Sequence, residues 1–269
     1  MKGGTNNMES GFTPTRSRVL DKMRRGEKTI CFKCNFPCPQ EIEIIGMAGF
    51  DAVWLCQEHT PTDFSELENM IRAAKLHGMD PIVRVPKGSY SDYIRPLEAD
   101  AAGIMIPHLM SLEEAKYIAH TVRFHPIGRR PLDGGNADGL FARFPIKDYL
   151  KFSNENRLII VQIEDPEVLP ELDAVCQVPG IDMIFFGPGD YSQAIGDPGN
   201  FANPEISRVR RLVVETAHKY GKFAGTVPVP SLETCLDEGF DFVNSAADVV
   251  LIANGCMDIL EKFRKHTGK

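Results

Sequence analysis

The feature that most constrains this chain is its alternation. Short apolar, β-branched runs recur along the sequence, and stretches with helical spacing lie between them. The runs fall at Ile30–Cys34, Asp51–Leu55, Pro81–Arg84, Gly103–Ile106, Leu158–Glu164, Ile181–Gly187, Lys222–Thr226 and Phe240–Ser245. Most are continuously apolar, as strands buried on both faces of a parallel sheet are. Helical spacing occupies Asp63–His77, Leu112–Arg123 and Pro204–Tyr220. Repeated β–α units with short connections build a parallel sheet. Eight such units predict one closed (β/α)8 TIM barrel over residues 15–269. The competing architecture is an open doubly wound sheet, which lacks support because no Gly-rich fingerprint follows the first strand. One connection is unusually long: residues 124–145 hold four Gly and three Pro. A loop of that length in a compact domain is either functional or disordered.

Composition narrows the function classes. Thirty Lys and Arg against 37 Asp and Glu leave a net charge of −7, with the basic residues scattered, so no nucleic-acid footprint is expected. No apolar run approaches the roughly 20 residues that span a bilayer. The N-terminus, MKGGTNNMESGFTPTRSRV, is polar and lacks the apolar middle of a secretory signal. Residues 1–14 are read as a disordered lead-in. Seven cysteines, an odd number spread along the chain, argue against a disulfide framework and for a reducing cytoplasm. The Cys31-x-x-Cys34-x-x-x-Cys38 spacing is discounted as a metal site, because on a strand Cys31 and Cys34 point to opposite faces.

Barrel enzymes place their chemistry at the C-terminal ends of the strands. Those ends carry Lys33, Gln57-Glu58-His59, Arg84, His108, Glu164-Asp165 and Gly187-Pro188-Gly189-Asp190. Glu164 and Asp190 close neighbouring strands, which lie about 5 Å apart, so their carboxylates can converge. Two carboxylates completed by water and substrate oxygens suit a hard divalent ion such as Mg²⁺ or Mn²⁺. Co²⁺ and Zn²⁺ are further candidates. The bland alternative is helix capping, which fits Asp190 and fits a strand-end glutamate poorly. The Gly-Pro-Gly turn exposes backbone N–H groups to an anion, or is simply a tight turn. Arg84 either polarises a keto oxygen or forms a structural ion pair with Glu58 or Glu164. His59 is read as a general base or as a surface histidine. Of the other histidines only His108 stands at a strand end. Lys33 either forms a Schiff base inside the barrel, or is held in a buried ion pair or snorkels to the mouth; it is counted among the substrate-binding residues and, if it points inward with a lowered pKa, as a second candidate base.

Several stretches together resemble the HpcH/HpaI aldolase family of metal-dependent pyruvate aldolases. They are FDAVWLCQEHTPTDF, PIVRVP, GIMIPHLMSLEEAKYIAHTVRFHPIGRRP, VQIEDPEVLPELDAVCQVPGIDMIFFGPGDYSQAIGDPGNFANPEI and HKYGKFAG. The spacing of QIE to GPGDYS is the most specific element. The resemblance implies that Glu164 and Asp190 are metal ligands and that Arg84 contacts the keto oxygen. It places Gln162 nearby, and it has the backbone at Gly189 and Asp190 hold the pyruvate carboxylate. His59 matches the family's acid/base histidine. A 2-keto acid substrate and a homo-oligomer, as a hexamer with exchanged C-terminal helices, are implied as well.

This chain departs from the family pattern at four places. Cys56 stands where an Asp usually pairs with the histidine, and Lys33 stands where the first strand usually has an aromatic residue. Gly128-Arg129-Arg130-Pro131 replaces Gly-x-Arg-Gly, and Gly189 replaces Ala. The expected reaction is cleavage of a 4-hydroxy-2-keto acid to pyruvate and an aldehyde. The alternatives are a coenzyme-A thioester lyase of the citrate lyase β-subunit type, for which Arg129-Arg130 is the only basic hint, a Schiff-base lyase using Lys33, and a keto-acid-binding barrel without turnover.

Overall fold

A computed structural model describes residues 13–268, so nearly all of the predicted lead-in lies outside the described residues. The eight strands are β1 (Thr29–Cys34), β2 (Ala52–Cys56), β3 (Asp80–Arg84), β4 (Gly103–Ile106), β5 (Leu158–Ile163), β6 (Met183–Phe186), β7 (Phe223–Thr226) and β8 (Phe242–Ala247). They pair in parallel, each with the next, and β8 returns to β1 to close the barrel. The strands expected from sequence agree with these to within two residues at each end. The sequence pattern carries β5 and β6 on into Glu164 and Gly187, which in the fold already belong to the loops. The chain turns there because the carboxylate and the glycine serve the mouth and not the ladder.

Side chains alternate across the wall. Cys31, Trp54, Ile82, Met105, Ile160, Met183, Phe185 and Phe242 fill the inside of the barrel. Val53, Leu55, Val83, Ile104, Val161, Ile184 and Phe186 face the surrounding helices. Cys31 therefore sits inside and Cys34 outside, and all seven cysteines are free.

Helix Arg18–Arg24 seals the floor of the barrel, inserting Val19, Leu20 and Met23 into the inner cluster. Asp80, at the start of β3, accepts hydrogen bonds from Ser17 Oγ at 2.6 Å, Arg18 N at 3.1 Å and Val19 N at 2.9 Å. The helix Phe64–Leu76 begins with a capping box between Asp63 and Glu66.

The long connection before β5 is ordered. Arg130 pairs with Asp138 at 2.8 Å with both side chains fully buried, and Tyr149 donates to the same carboxylate at 2.7 Å. The Arg130 guanidinium also stacks on Phe124 at 4.8 Å. Half of the supposed basic patch at Arg129-Arg130 is thus a buried strut, neutralised within the loop. Helix Asp248–Thr267 behaves differently: past Asp248 its residues are exposed, including Leu251, Ile252, Ile259 and Phe263. No helix of the described residues is long and apolar enough to cross a membrane.

Candidate active site

Glu164 directly follows β5 and is 1 % exposed. Its Oε1 accepts from His108 N at 2.9 Å, and its Oε2 accepts from Gln162 Nε2 at 3.1 Å. The close fit depends on Gly187, since a Cβ there would lie 2.4 Å from Glu164 Oε2. Asp190, three residues past Gly187, is exposed. One ligand atom each from His108, Glu164 and Asp190 falls within a mutual 4.8 Å, the only such group among the described residues. Burial pushes the Glu164 carboxyl up to about 7, and the charge of Asp190 acts the same way. The His108 N–H, the imidazole and Arg84 oppose that rise. Carboxyl groups crowded this closely are relieved by a cation.

Arg84, the last residue of β3, is 5 % exposed. Its Nε lies 2.9 Å from Glu58 Oε2, and its guanidinium lies 4.7 Å from the centre of the Trp54 ring. The Nε–H is not aimed along the line to Glu58, so this contact is an ion pair and not an aligned hydrogen bond. Arg84 also donates to Cys56 Sγ at 3.4 Å. Lys33 points into the barrel from β1, with Nζ 5.4 Å from the same indole centre. Burial lowers the pKa of Lys33, and Arg84 beside it lowers it further.

His59 is turned outward. Its side chain is 55 % exposed, and its Nε2 approaches Glu58 at 3.5 Å. The imidazole that the fold brings to the carboxylates is His108, in a left-handed conformation with φ of 50°. Its Nδ1 lies 2.9 Å from Asp165, and its Nε2 faces Glu58 at 3.8 Å. Burial alone would lower the pKa of His108; the Asp165 contact and the charges of Glu164, Asp165 and Glu58 outweigh it and raise the pKa. The sequence places Glu58, His108 and Asp165 at strand ends; it offers Glu58 as an ion-pair partner of Arg84, which the structure shows, and Asp165 only as a helix cap, and it gives His108 no role. A histidine directly after a proline that follows β4 is the signal it offers.

The residues present fit a divalent ion. Two of the three donors are carboxylate oxygens and the third is an imidazole nitrogen, one carboxylate is buried, and the Gln162 Oε1 acceptor is buried with no partner among the described residues. Gly189 leaves open space: a Cβ at that position would meet nothing within 4 Å, so glycine in place of the family's alanine removes no contact.

An eight-stranded parallel barrel with paired carboxylates and an arginine at its C-terminal mouth has the layout of the barrel enzymes, whose chemistry sits at that end of the strands. The sequence profile of HpcH/HpaI aldolase/citrate lyase matches residues 34–255, and the chain belongs to that family. It is 31 % identical over 229 residues to the 5-keto-4-deoxy-D-glucarate aldolase of Enterobacter sp. (strain 638), covering 84 % of this chain and 89 % of that one. It is 28 % identical over 247 residues to the 2-keto-3-deoxy-L-rhamnonate aldolase of Shigella sonnei (strain Ss046), covering 91 % and 92 %. Among solved structures, citrate synthase SbnG superposes with a TM-score of 0.86 at 26 % identity, covering 94 % of this chain and all of that one.

Proposed function

We propose that this chain is a divalent-metal-dependent carbon–carbon lyase that splits a 4-hydroxy-2-keto acid into pyruvate and an aldehyde. The observation that carries this reading is the convergence of Glu164, Asp190 and His108 within 4.8 Å at the barrel mouth, with Arg84 on the neighbouring wall. The two relatives named as keto-deoxy sugar acid aldolases support the same reaction type.

Glu164 and Asp190 hold the ion, and Mg²⁺ or Mn²⁺ suits their oxygens best. A bound cation of this kind supplies Lewis-acid stabilisation to the enolate oxygen. Backbone N–H groups at Gly189 and Asp190 hold the substrate carboxylate. Gln162, fixed by its bond to Glu164, offers its free oxygen to a substrate or water hydrogen. Arg84 directs its guanidinium at the keto oxygen, kept in place by Glu58 and the Trp54 face. The 4-hydroxyl proton leaves to a base, the C3–C4 bond breaks, and its electron pair passes into the pyruvate enolate. His59 takes that proton through a water, paired with Glu58 in place of the carboxylate that Cys56 lacks. His108 is the second candidate, because it is the imidazole packed against the carboxylates.

Exchange of the pyruvate methyl protons in heavy water, followed by NMR, tests this reading. Exchange with Mg²⁺ or Mn²⁺ that stops on adding chelator is the expected result. No exchange with any divalent ion would leave the chain a keto-acid-binding barrel.

The same reading makes the protein a homo-oligomer built through helix Asp248–Thr267. A groove of about 710 Å³ opens between that helix and helix Pro39–Ala48, lined by Phe32, Ile44, Phe50, Leu251 and Ile252. An isolated protomer would leave this apolar surface in water. Light scattering after size exclusion, on the full chain and on an Ile259→Lys/Phe263→Lys variant, distinguishes a hexamer from smaller species.

A further inference from the structure

The barrel mouth holds two cations against one indole, and among the described residues only one of them has a carboxylate. Arg84 stands 4.7 Å from the Trp54 ring centre and pairs with Glu58 at 2.9 Å. Lys33 stands 5.4 Å from the same centre, and its ammonium has no hydrogen-bond acceptor or ion-pair partner among the described residues. A half-buried ammonium beside a guanidinium is disfavoured by desolvation and by like-charge repulsion. Attraction to the indole face, and the more distant charges of Asp248 and Glu58, offset only part of that cost. The Trp54 Nε1–H is also buried without a partner among these residues. An anion beside the ammonium would neutralise it.

The topology says which part of a substrate reaches it. Glu164 follows β5 and Asp190 follows β6, whereas Lys33 is on β1. In a closed ring of eight strands, β1 lies diametrically across from β5. A keto acid held by its carboxylate and keto oxygen on the β5–β6 side therefore extends its far end across the mouth toward β1 and β2. Pyruvate carries no second carboxylate to pair with Lys33, and neither does a substrate whose aldehyde part is uncharged.

We propose that Lys33 is a specificity-determining residue that pairs with a second carboxylate at the far end of the substrate, so that the site selects 2-keto dicarboxylates over 2-keto monocarboxylates of the same length. This assignment deepens the lyase reading and rests on its placement of the pyruvate part. Cleavage of a five-carbon member, 4-hydroxy-2-ketoglutarate, balances as pyruvate plus glyoxylate. The C3–C4 bond breaks, its electrons pass to C3, the proton of the C4 hydroxyl leaves, and C3 regains one proton. Lys33 holds the carboxylate of the glyoxylate half and exchanges no proton.

Binding of 2-ketoglutarate and 2-ketopentanoate to the full-length protein in Mg²⁺, by calorimetry, tests this without turnover. The native chain is expected to prefer 2-ketoglutarate at least tenfold. Lys33→Met, confirmed as folded by circular dichroism, should bring the two affinities within about twofold. Lys33→Arg should keep most of the preference, because it keeps the charge. Equal affinities in the native chain, or a preference untouched by Lys33→Met, overturns the assignment. A covalent adduct on Lys33 after borohydride treatment with pyruvate overturns it too, since the amine would then be a nucleophile. Pyruvate proton exchange in the native chain is scored separately, so the lyase reading and the Lys33 assignment fail independently.

Discussion

The two ends of this barrel treat a buried carboxylate in opposite ways. At the floor, Asp80 is wrapped by Ser17 Oγ and two backbone N–H groups, and the helix that supplies them plugs the interior. At the mouth, Glu164 is as deeply buried, yet it receives only two donors from the described residues and faces the exposed Asp190. The floor uses its carboxylate to close the fold. The mouth leaves oxygens, an orphaned Gln162 acceptor and an ammonium unpaired among the described residues for something that arrives later. Of these two carboxylates, the one whose donors are supplied by the fold holds structure, and the one left short of donors faces the site.

The sharpest way to break this contrast is to remove each carboxylate in turn. Glu164→Gln should lower turnover by roughly 1,000-fold or more while leaving the melting temperature close to native or above it. Asp80→Ala should do the reverse, costing about 3 kcal/mol of stability with activity per folded molecule retained. Steady-state kinetics and denaturant titration on both variants decide the matter. Equal effects on activity would erase the difference between the two ends.

A second test uses two glycines two residues apart. A Cβ at Gly187 would collide with Glu164 Oε2 at 2.4 Å, whereas a Cβ at Gly189 would meet nothing within 4 Å. Gly187→Ala should cost about 100-fold in kcat by displacing the carboxylate, and Gly189→Ala should stay within about twofold. If the two variants behave alike, the packing of Glu164 does not set its position.

The histidines separate next. Glu58 links the exposed His59 to the mouth, and His108 is held by Asp165 and Glu164. His108→Gln should lower kcat/KM roughly 10- to 100-fold, as loss of a residue that orients metal ligands does. His59→Gln should slow cleavage and spare pyruvate exchange, because the 4-hydroxyl proton is absent from that half-reaction. Loss of exchange in His59→Gln would move the base to another step.

The smallest effect concerns a carboxyl in the groove between helices Pro39–Ala48 and Asp248–Thr267. Burial, with Asp248 beside it, pushes Glu41 up to about 7 from an ordinary value of 4.5. A raised carboxyl contributes stability that is complete below its unfolded value and is lost as pH rises through its folded value. The native chain should therefore lose stability between about pH 4.5 and 7 by this route. Glu41→Gln should flatten that fall, which urea titrations at pH 5 and pH 8 would show.

Much of this molecule was legible in its residues. Period and β-branching revealed eight strands, because each parallel strand must be apolar on both faces whatever it packs against. The strand-end rule then placed Glu164, Asp190 and Arg84 at one mouth without coordinates. Three things needed the folded chain. Cys31 and Lys33 share an inward face, but only the closed ring sets Lys33 over Trp54 and beside Arg84. Arg129-Arg130 looked alike in sequence, yet a loop closing on itself buries Arg130 against Asp138. His59 and His108 both follow strands, and the left-handed turn at His108 swings one imidazole to the carboxylates while the other stays in solvent. Periodicity reports which face a residue is on. Which partner stands opposite is a property of contacts between strands distant in sequence, and only the tertiary structure decides it.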